Sequence, residues 1–265
     1  MRALLLKSAL VGALSLCAYS AQADPVLPVQ NLTFSDYNGI APKGIFTAVD
    51  PVGWTGGTGL ISIDAPGTAT QTGGGGNAYP VYGPFLNPPP GGNFIQADGN
   101  PIYESSFNQA LTGLMVGTTY DLSFWQAAGQ QTGFSGATTE QWIVALGATG
   151  SSLLTDTSTT PATYYDTDPL AEINISTLMN TGSEGVSPWN LVTMQFTATA
   201  VNQTLSFLAW GDNGNTTNLP PTAFLAGVNS PALPEPPTLA LFGIALLGLG
   251  ASVWGKKRAK SDSAA

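Results

Sequence analysis

Carboxylates and tryptophans are the side chains of this sequence whose types and spacing could do chemistry. There is no histidine, and the one cysteine, Cys17, lies in an apolar stretch near the N-terminus. Composition therefore excludes a Ser-His-Asp triad, a Cys-His dyad and imidazole metal sites. Paired carboxylates could still hydrolyse a glycosidic bond. The densest acidic group is Asp166, Asp168 and Glu172, set among Thr, Tyr and Pro in the manner of solvated loop acids. Asp98-Gly99-Asn100 with Glu104 nearby, and Asp212-Asn213-Gly214-Asn215, offer oxygen ligands on tight turns, a pattern that calcium takes. Asp, Asn and Gly favour turns for backbone reasons as well, so calcium is a candidate only, and no other cofactor is implied. Glycines 73–76 are no phosphate loop, because no Lys-Ser/Thr follows them.

Sugar binding asks for exposed flat rings, with acids and amides to fix hydroxyls. Strand parity offers two such rings. Trp125 falls on the same face as Asp121 and Ser123, opposite Tyr120, Leu122 and Phe124. Trp210 falls opposite Leu205, Phe207 and Ala209, with Asp212 just beyond it. Trp125, Trp210, Asp121 and Asp212 are thus the candidate glycan-binding residues, unless loops or a second layer cover the rings. Trp54, Trp142 and Trp189 read as core or corner residues.

The elements that must position these residues read as strands. Tyr120–Trp125 and Val192–Ala198 alternate apolar and polar residues. Leu205/Phe207/Ala209, Trp142/Val144/Leu146 and Leu32/Phe34 repeat the pattern, and Phe224–Val228 closes the series. Short strands with Gly-, Pro-, Asn- and Thr-rich turns and no alternating helices predict an all-β fold, an antiparallel jelly-roll-like sandwich. Residues 70–92 and 156–185 read as long loops.

Charge narrows the partners. Hydrophobic residues make up 43% of the 265 and charged residues 9%, well under the roughly 25% of an ordinary soluble domain. Between Asp24 and Leu233 stand fourteen acidic residues and one basic residue, Lys43, a formal charge near −13. Such a body is repelled by phosphate backbones, which excludes nucleic-acid binding.

The remaining basic residues sit at the two ends. Arg2 and Lys7 precede an apolar run to Ser20, and Ala21 and Ala23 occupy the −3 and −1 positions of a cleavage site before Asp24. This is the layout of a secretory signal read by the Sec translocon and signal peptidase, spanning 1–23. Leu16 is too large for a lipobox at Cys17. At the other end Pro234-Glu235-Pro236 is followed by an uncharged stretch, 239–255, and a basic cluster, 256–260, containing Lys256, Lys257 and Arg258. The stretch is short against a hydrocarbon core of about 30 Å, and snorkelling lysines extend it. The basic cluster acts as a stop-transfer signal, placing the body outside.

Residues 233–260 resemble the PEP-CTERM sorting tail of Gram-negative bacteria that make exopolysaccharide. The Pro-Glu-Pro, the small-residue helix with Gly243, Gly248 and Gly250, and the terminal basic cluster carry the likeness. Ser261 to Ala265 extend beyond the usual end. The resemblance implies a precursor tethered in the inner membrane, an exosortase-type transpeptidase as partner, and delivery to the outer surface or extracellular matrix. Similar tails also carry an ice-binding protein C-terminal name, which describes the tail alone.

The body, 24–232, resembles galactose-binding and carbohydrate-binding jelly-roll modules. Gly53-Trp54, Ala97–Pro101, Gln109–Leu114, Gly117–Phe124, Trp189–Ala200 and Leu205–Ala209 carry that likeness. It specifies fold better than activity, because such folds host many functions. The expectation is a non-catalytic surface or biofilm-matrix protein that takes up exopolysaccharide. The alternatives are a purely structural or adhesive coat protein and a carboxylate-dependent glycoside hydrolase.

Overall fold

The computed structural model describes residues 24–37, 51–56, 59–71, 79–103 and 106–229. The strongest alternation in the sequence becomes the central strand β5, Thr119–Gln130, in which Tyr120, Leu122 and Phe124 are buried between two sheets. Its partner β11, Asn190–Thr197, alternates more cleanly still. Val192, Met194 and Phe196 face the core, whereas Leu191, Thr193, Gln195 and Thr197 are exposed. A period of two on a half-buried surface fixes the register, because a one-residue slip would turn every apolar side chain to solvent.

The first sheet runs β11-β5-β13-β3-β2, with β13 at Pro221–Ala226, β3 at Phe94–Asp98 and β2 at Ile61–Asp64. The second runs β1-β4-β12-β6-β10, and β9 also pairs with β6. Its strands are β1 Trp54–Gly56, β4 Ser106–Leu111, β6 Thr138–Ala148, β9 Glu172–Ile175, β10 Met179–Thr181 and β12 Gln203–Gly211. A hairpin of β7, Leu153–Asp156, and β8, Thr163–Asp166, stands apart. All of these ladders are antiparallel. The fold is an all-β antiparallel sandwich.

Aromatic packing closes the core. Trp54 stacks on Phe107 at 4.7 Å and 6°, and Phe124 and Trp142 meet Phe207 edge-on. Both outer faces are also partly covered. Phe94, Ala127 and Phe224 pack under Ala69, Val81 and Phe85 on one side. Ile143, Ala145, Leu208 and Trp210 pack under Leu153 and Ala162 of the hairpin on the other.

Two sequence expectations need correction. Leu32 and Phe34 form a turn, not a strand: Asn31 and Phe34 take left-handed φ values of 50° and 52°. Phe34 is nevertheless buried, against Trp54 at 5.3 Å. Two alternating residues are too few to distinguish a strand from a turn that anchors one ring. The stretch 156–185 is not a plain loop either, since it contains β8, β9 and β10, three- and four-residue strands too short to show a period. The expected signal and transmembrane helices lie outside the described residues. Among the described residues the only helix is a three-residue 3₁₀ turn, Asp212–Gly214.

The N-terminal segment is part of this body. Asp121 N–H donates to Pro25 O at 2.8 Å, and Leu27 N–H donates to Asp121 O at 2.9 Å. Leu27 is buried in the core, and Asn229 Nδ2 caps its carbonyl at 2.7 Å. The segment thus occupies the side of β5 opposite β11, ahead of the point where β13 takes over.

Candidate functional site

The outer face of the β5–β11 ladder is built as cross-strand pairs: Thr119/Thr197, Asp121/Gln195, Ser123/Thr193 and Trp125/Leu191. Three of these four pairs are polar. Gln195 Nε2 donates to Asp121 Oδ1 at 3.1 Å and to Asp24 Oδ2 at 3.0 Å, so one amide joins two carboxylates. Their oxygens therefore lie no more than about 6 Å apart. Strand β9 closes the flank. Asn174 Nδ2 donates to Gln195 O at 2.9 Å, and Glu172 Oε2 accepts from Thr197 N–H at 2.7 Å. Side chains of β9 thus satisfy backbone groups on the free edge of β11. Beside them opens a groove of about 440 Å³, lined by Asp121, Asn174, Thr193, Met194 and Gln195.

Of the four candidate glycan residues, Asp121 lies in this groove and Trp125 four residues along the same outer face. Trp125 is half-buried in the outer apolar cluster with Phe85 and Trp189 at its edge, and its indole N–H is buried without an acceptor. Trp210 sits on the opposite sheet and is 3% exposed, edge-on to Tyr164 at 5.2 Å. A shared groove between the two tryptophans therefore does not form. Parity placed both rings on outer faces, and covering loops and separate sheets decided the rest. Nothing in the short period of the strands announces which sheet each will join.

Asp212 lies at the end of β12, where Oδ1 accepts from Thr139 N–H at 3.0 Å and Oδ2 is buried without a partner. Burial pushes its carboxyl up from the ordinary range, against the pull of that N–H. Nearby Glu140 is fully buried, and both its oxygens are taken, by Thr138 Oγ1 and by Thr181 Oγ1 at 2.9 Å. Burial pushes the Glu140 carboxyl up to about 8, although both hydroxyls pull the other way. A buried Glu near the start of a strand shows no signal in the sequence beyond its own polarity.

The turn acids serve the backbone. Asp98 and Asn100 are buried; Asp98 Oδ1 accepts from Asn100 N–H at 2.8 Å, and Asn100 Oδ1 accepts from Ile102 N–H at 3.1 Å. Glu104 lies outside the described residues. Among the described residues no three His, Cys, Asp or Glu side chains converge to hold one metal ion. Asp166, Asp168 and Glu172 are not simply solvated. Asp166 is 7% exposed and accepts from Asp168 N–H at 2.7 Å, and Asp168 accepts from Ala148 and Leu170 N–H. A second cleft, of about 280 Å³, is lined half by threonines 157, 159, 160 and 216 and half by Pro161, Ala162, Gly214 and Asn215.

The C-terminal residues match a known sorting signal. Residues 232–257 carry the PEP-CTERM protein-sorting motif. The PEP-CTERM motif marks an exported protein handled by an exosortase. Pro234, Glu235, Pro236, Lys256 and Lys257 fall inside the matched span, and Arg258 is one residue past it. They and the signal residues Ala21 and Ala23 lie outside the described residues. No curated protein matches the chain. Among solved structures the body is similar to TmCBM61 in complex with beta-1,4-galactotriose, at 8% identity and TM-score 0.37, over 76% of this chain and 95% of that one. It is also similar to the enzymatically active domain of bacteriophage CBA120 tailspike protein 4, at 11% identity and TM-score 0.34, over 67% of this chain and 19% of that one.

Proposed function

We propose that this is a non-catalytic surface or matrix protein of a Gram-negative bacterium, whose body holds exopolysaccharide in the β5–β11–β9 groove. The carrying observation is the Asp24–Gln195–Asp121 bridge, of which Asp121 and Gln195 line an open groove with Asn174 and present amide donors and a carboxylate acceptor. Such groups fix sugar hydroxyls, and the half-exposed edge of Trp125 and Leu191 supplies apolar contact at one end. The described residues include no Lys, Arg or His. A polymer of uronates or sulfates would meet an excess of like charge there, so the ligand is an uncharged polysaccharide. Glycosidase chemistry would need one carboxyl as acid and the other as base or nucleophile, whereas sharing one amide gives Asp24 and Asp121 the same acceptor role.

Pull-down by the host's own exopolysaccharide, against a neutral glucan and a uronate polymer, tests this reading. Binding that survives Asp121→Ala with Gln195→Ala would remove the groove from it. A coat or adhesive role is the second reading. It is favoured by Ile173, Ile175, Leu178 and Leu191, each 38–51% exposed along the same flank. On that reading no isolated glycan binds, and deleting the gene weakens biofilm cohesion.

A further inference from the structure

We infer that removal of the signal turns the α-amino group of Asp24 into a positively charged hydrogen-bond donor beside the groove, the one cation among the described residues there. The inference rests on cleavage before Asp24 and not on what the groove binds.

Asp24 is not a loose end. Pro25 O, Leu27 N–H and Leu27 O are all hydrogen-bonded, to Asp121 and Asn229, and the Leu27 side chain is in the core. This anchoring begins one residue after Asp24, whose own carboxylate is tied to Gln195 at 3.0 Å. Covalent geometry keeps the α-nitrogen within about 4 Å of that carboxylate. While residue 23 is attached, the nitrogen is an uncharged amide with a single N–H. After cleavage it becomes an ammonium with three donors. The titratable groups of the network that holds it are acidic. Asp121 comes from β5 and Asp24 from the segment itself, and Glu172 of β9 holds Thr197 N–H two residues along β11 from Gln195; Gln195, Asn174 and Asn229 are neutral. With no Lys, Arg or His among the described residues, no other cation competes for these carboxylates there. The new charge lands beside the carboxylates that share Gln195, next to the groove.

Three forms of the otherwise full-length body test this: one starting at Asp24, the same chain N-acetylated, and one extended by two glycines. The α-amine is titrated by NMR in the first form and in its Asp121→Asn and Glu172→Gln variants. An ordinary α-amine titrates near 7.7–8.0. The expected value is higher by roughly half a pH unit, as exposed carboxylates several ångströms away would give. The rise should shrink in either variant and vanish in about 1 M salt. Titration in the ordinary range, unchanged by both substitutions, overturns the inference. N-terminal sequencing of the exported protein separates the other failure. A start at a residue other than Asp24 overturns the processing step on which the inference stands.

Discussion

Asp121 and Gln195 stand opposite each other on β5 and β11 and share a 3.1 Å hydrogen bond, and the same amide reaches Asp24 at 3.0 Å. Three residues separated by as much as 171 positions thus meet at one nitrogen. The bonds are exposed, so they contribute little to stability; exposed polar pairs of this kind are worth about 1 kcal/mol or less. Removing Gln195 and Asp121 together should therefore leave the denaturation midpoint nearly unchanged while glycan retention falls at least tenfold. Affinity electrophoresis and urea unfolding on the same samples read the two effects separately.

Trp125 and Trp210 should respond differently to substitution. Trp210 is buried under the β7–β8 hairpin, and its truncation to Ala removes a fully packed indole, at a cost of about 3–5 kcal/mol. Trp125→Phe keeps a ring in the outer cluster and removes an indole N–H that has no acceptor, so it should cost less than about 1 kcal/mol or stabilise. Urea unfolding of the two variants checks the order. Equal losses would mean that the burial difference does not govern these sites.

How much of this was legible follows from the period of each segment. β5, β6, β11 and β12 are long enough for alternation to show, and their inward faces agree with the residues the pattern selects, whereas β13 is Pro221–Ala226, not Phe224–Val228, and is buried on both faces. β8, β9 and β10 have three or four residues, and in such a span alternation and turn composition look alike. Asp121 was legible as an outer-face acid because parity alone decides its side. Gln195, Asn174 and Asp24 were not, since their role depends on β9 closing the edge of β11 and on the N-terminal segment lying beside β5. Those are long-range pairings that no local spacing encodes.

Stability should fall as pH rises through the neutral range, because of Glu140. Its carboxyl is raised from 4.5 to about 8 in the folded protein, mainly by burial. Below about pH 4.5 both states hold the proton and the group takes nothing from stability. Between 4.5 and 8 the unfolded chain releases it and the folded one does not, so the folded state is progressively disfavoured, by on the order of a few kcal/mol. Asp212, raised by burial too, acts in the same direction. Glu140→Gln keeps partners for Thr138 and Thr181 and removes the titration. Thermal midpoints between pH 5 and 8.5 should flatten in that variant; a slope as steep as the parent's would assign the dependence elsewhere.

A backbone crossing beside Asp212 leaves no room for a side chain. A Cβ on Gly211 would lie 2.2 Å from Pro221 Cγ and 3.1 Å from Gly99 O. Gly211 and Gly99 also exchange a 2.7 Å backbone hydrogen bond. Gly211→Ala must displace β13 at Pro221 or shift the end of β12, so it should destabilise by about 2 kcal/mol or more. Gly113 offers the control. It has open space around its Cα but a left-handed φ of 76°, so Gly113→Ala should cost only about 1 kcal/mol of backbone strain.

The sorting motif predicts where variants accumulate. Pro234 and Pro236 lack a backbone N–H and disfavour the helical region at the residue before them, so the sequence predicts an extended Glu235 ahead of the apolar stretch. Glu235→Ala should leave signal removal intact and hold the protein in the inner-membrane fraction. Replacing Lys256, Lys257 and Arg258 with Ala tests a different step: if the cluster is the stop-transfer signal that the sequence predicts, the tail should pass through the membrane uncut. Fractionation followed by mass measurement distinguishes the two outcomes. A Glu235→Ala protein recovered from the medium at the parent mass would remove the motif from the sorting step.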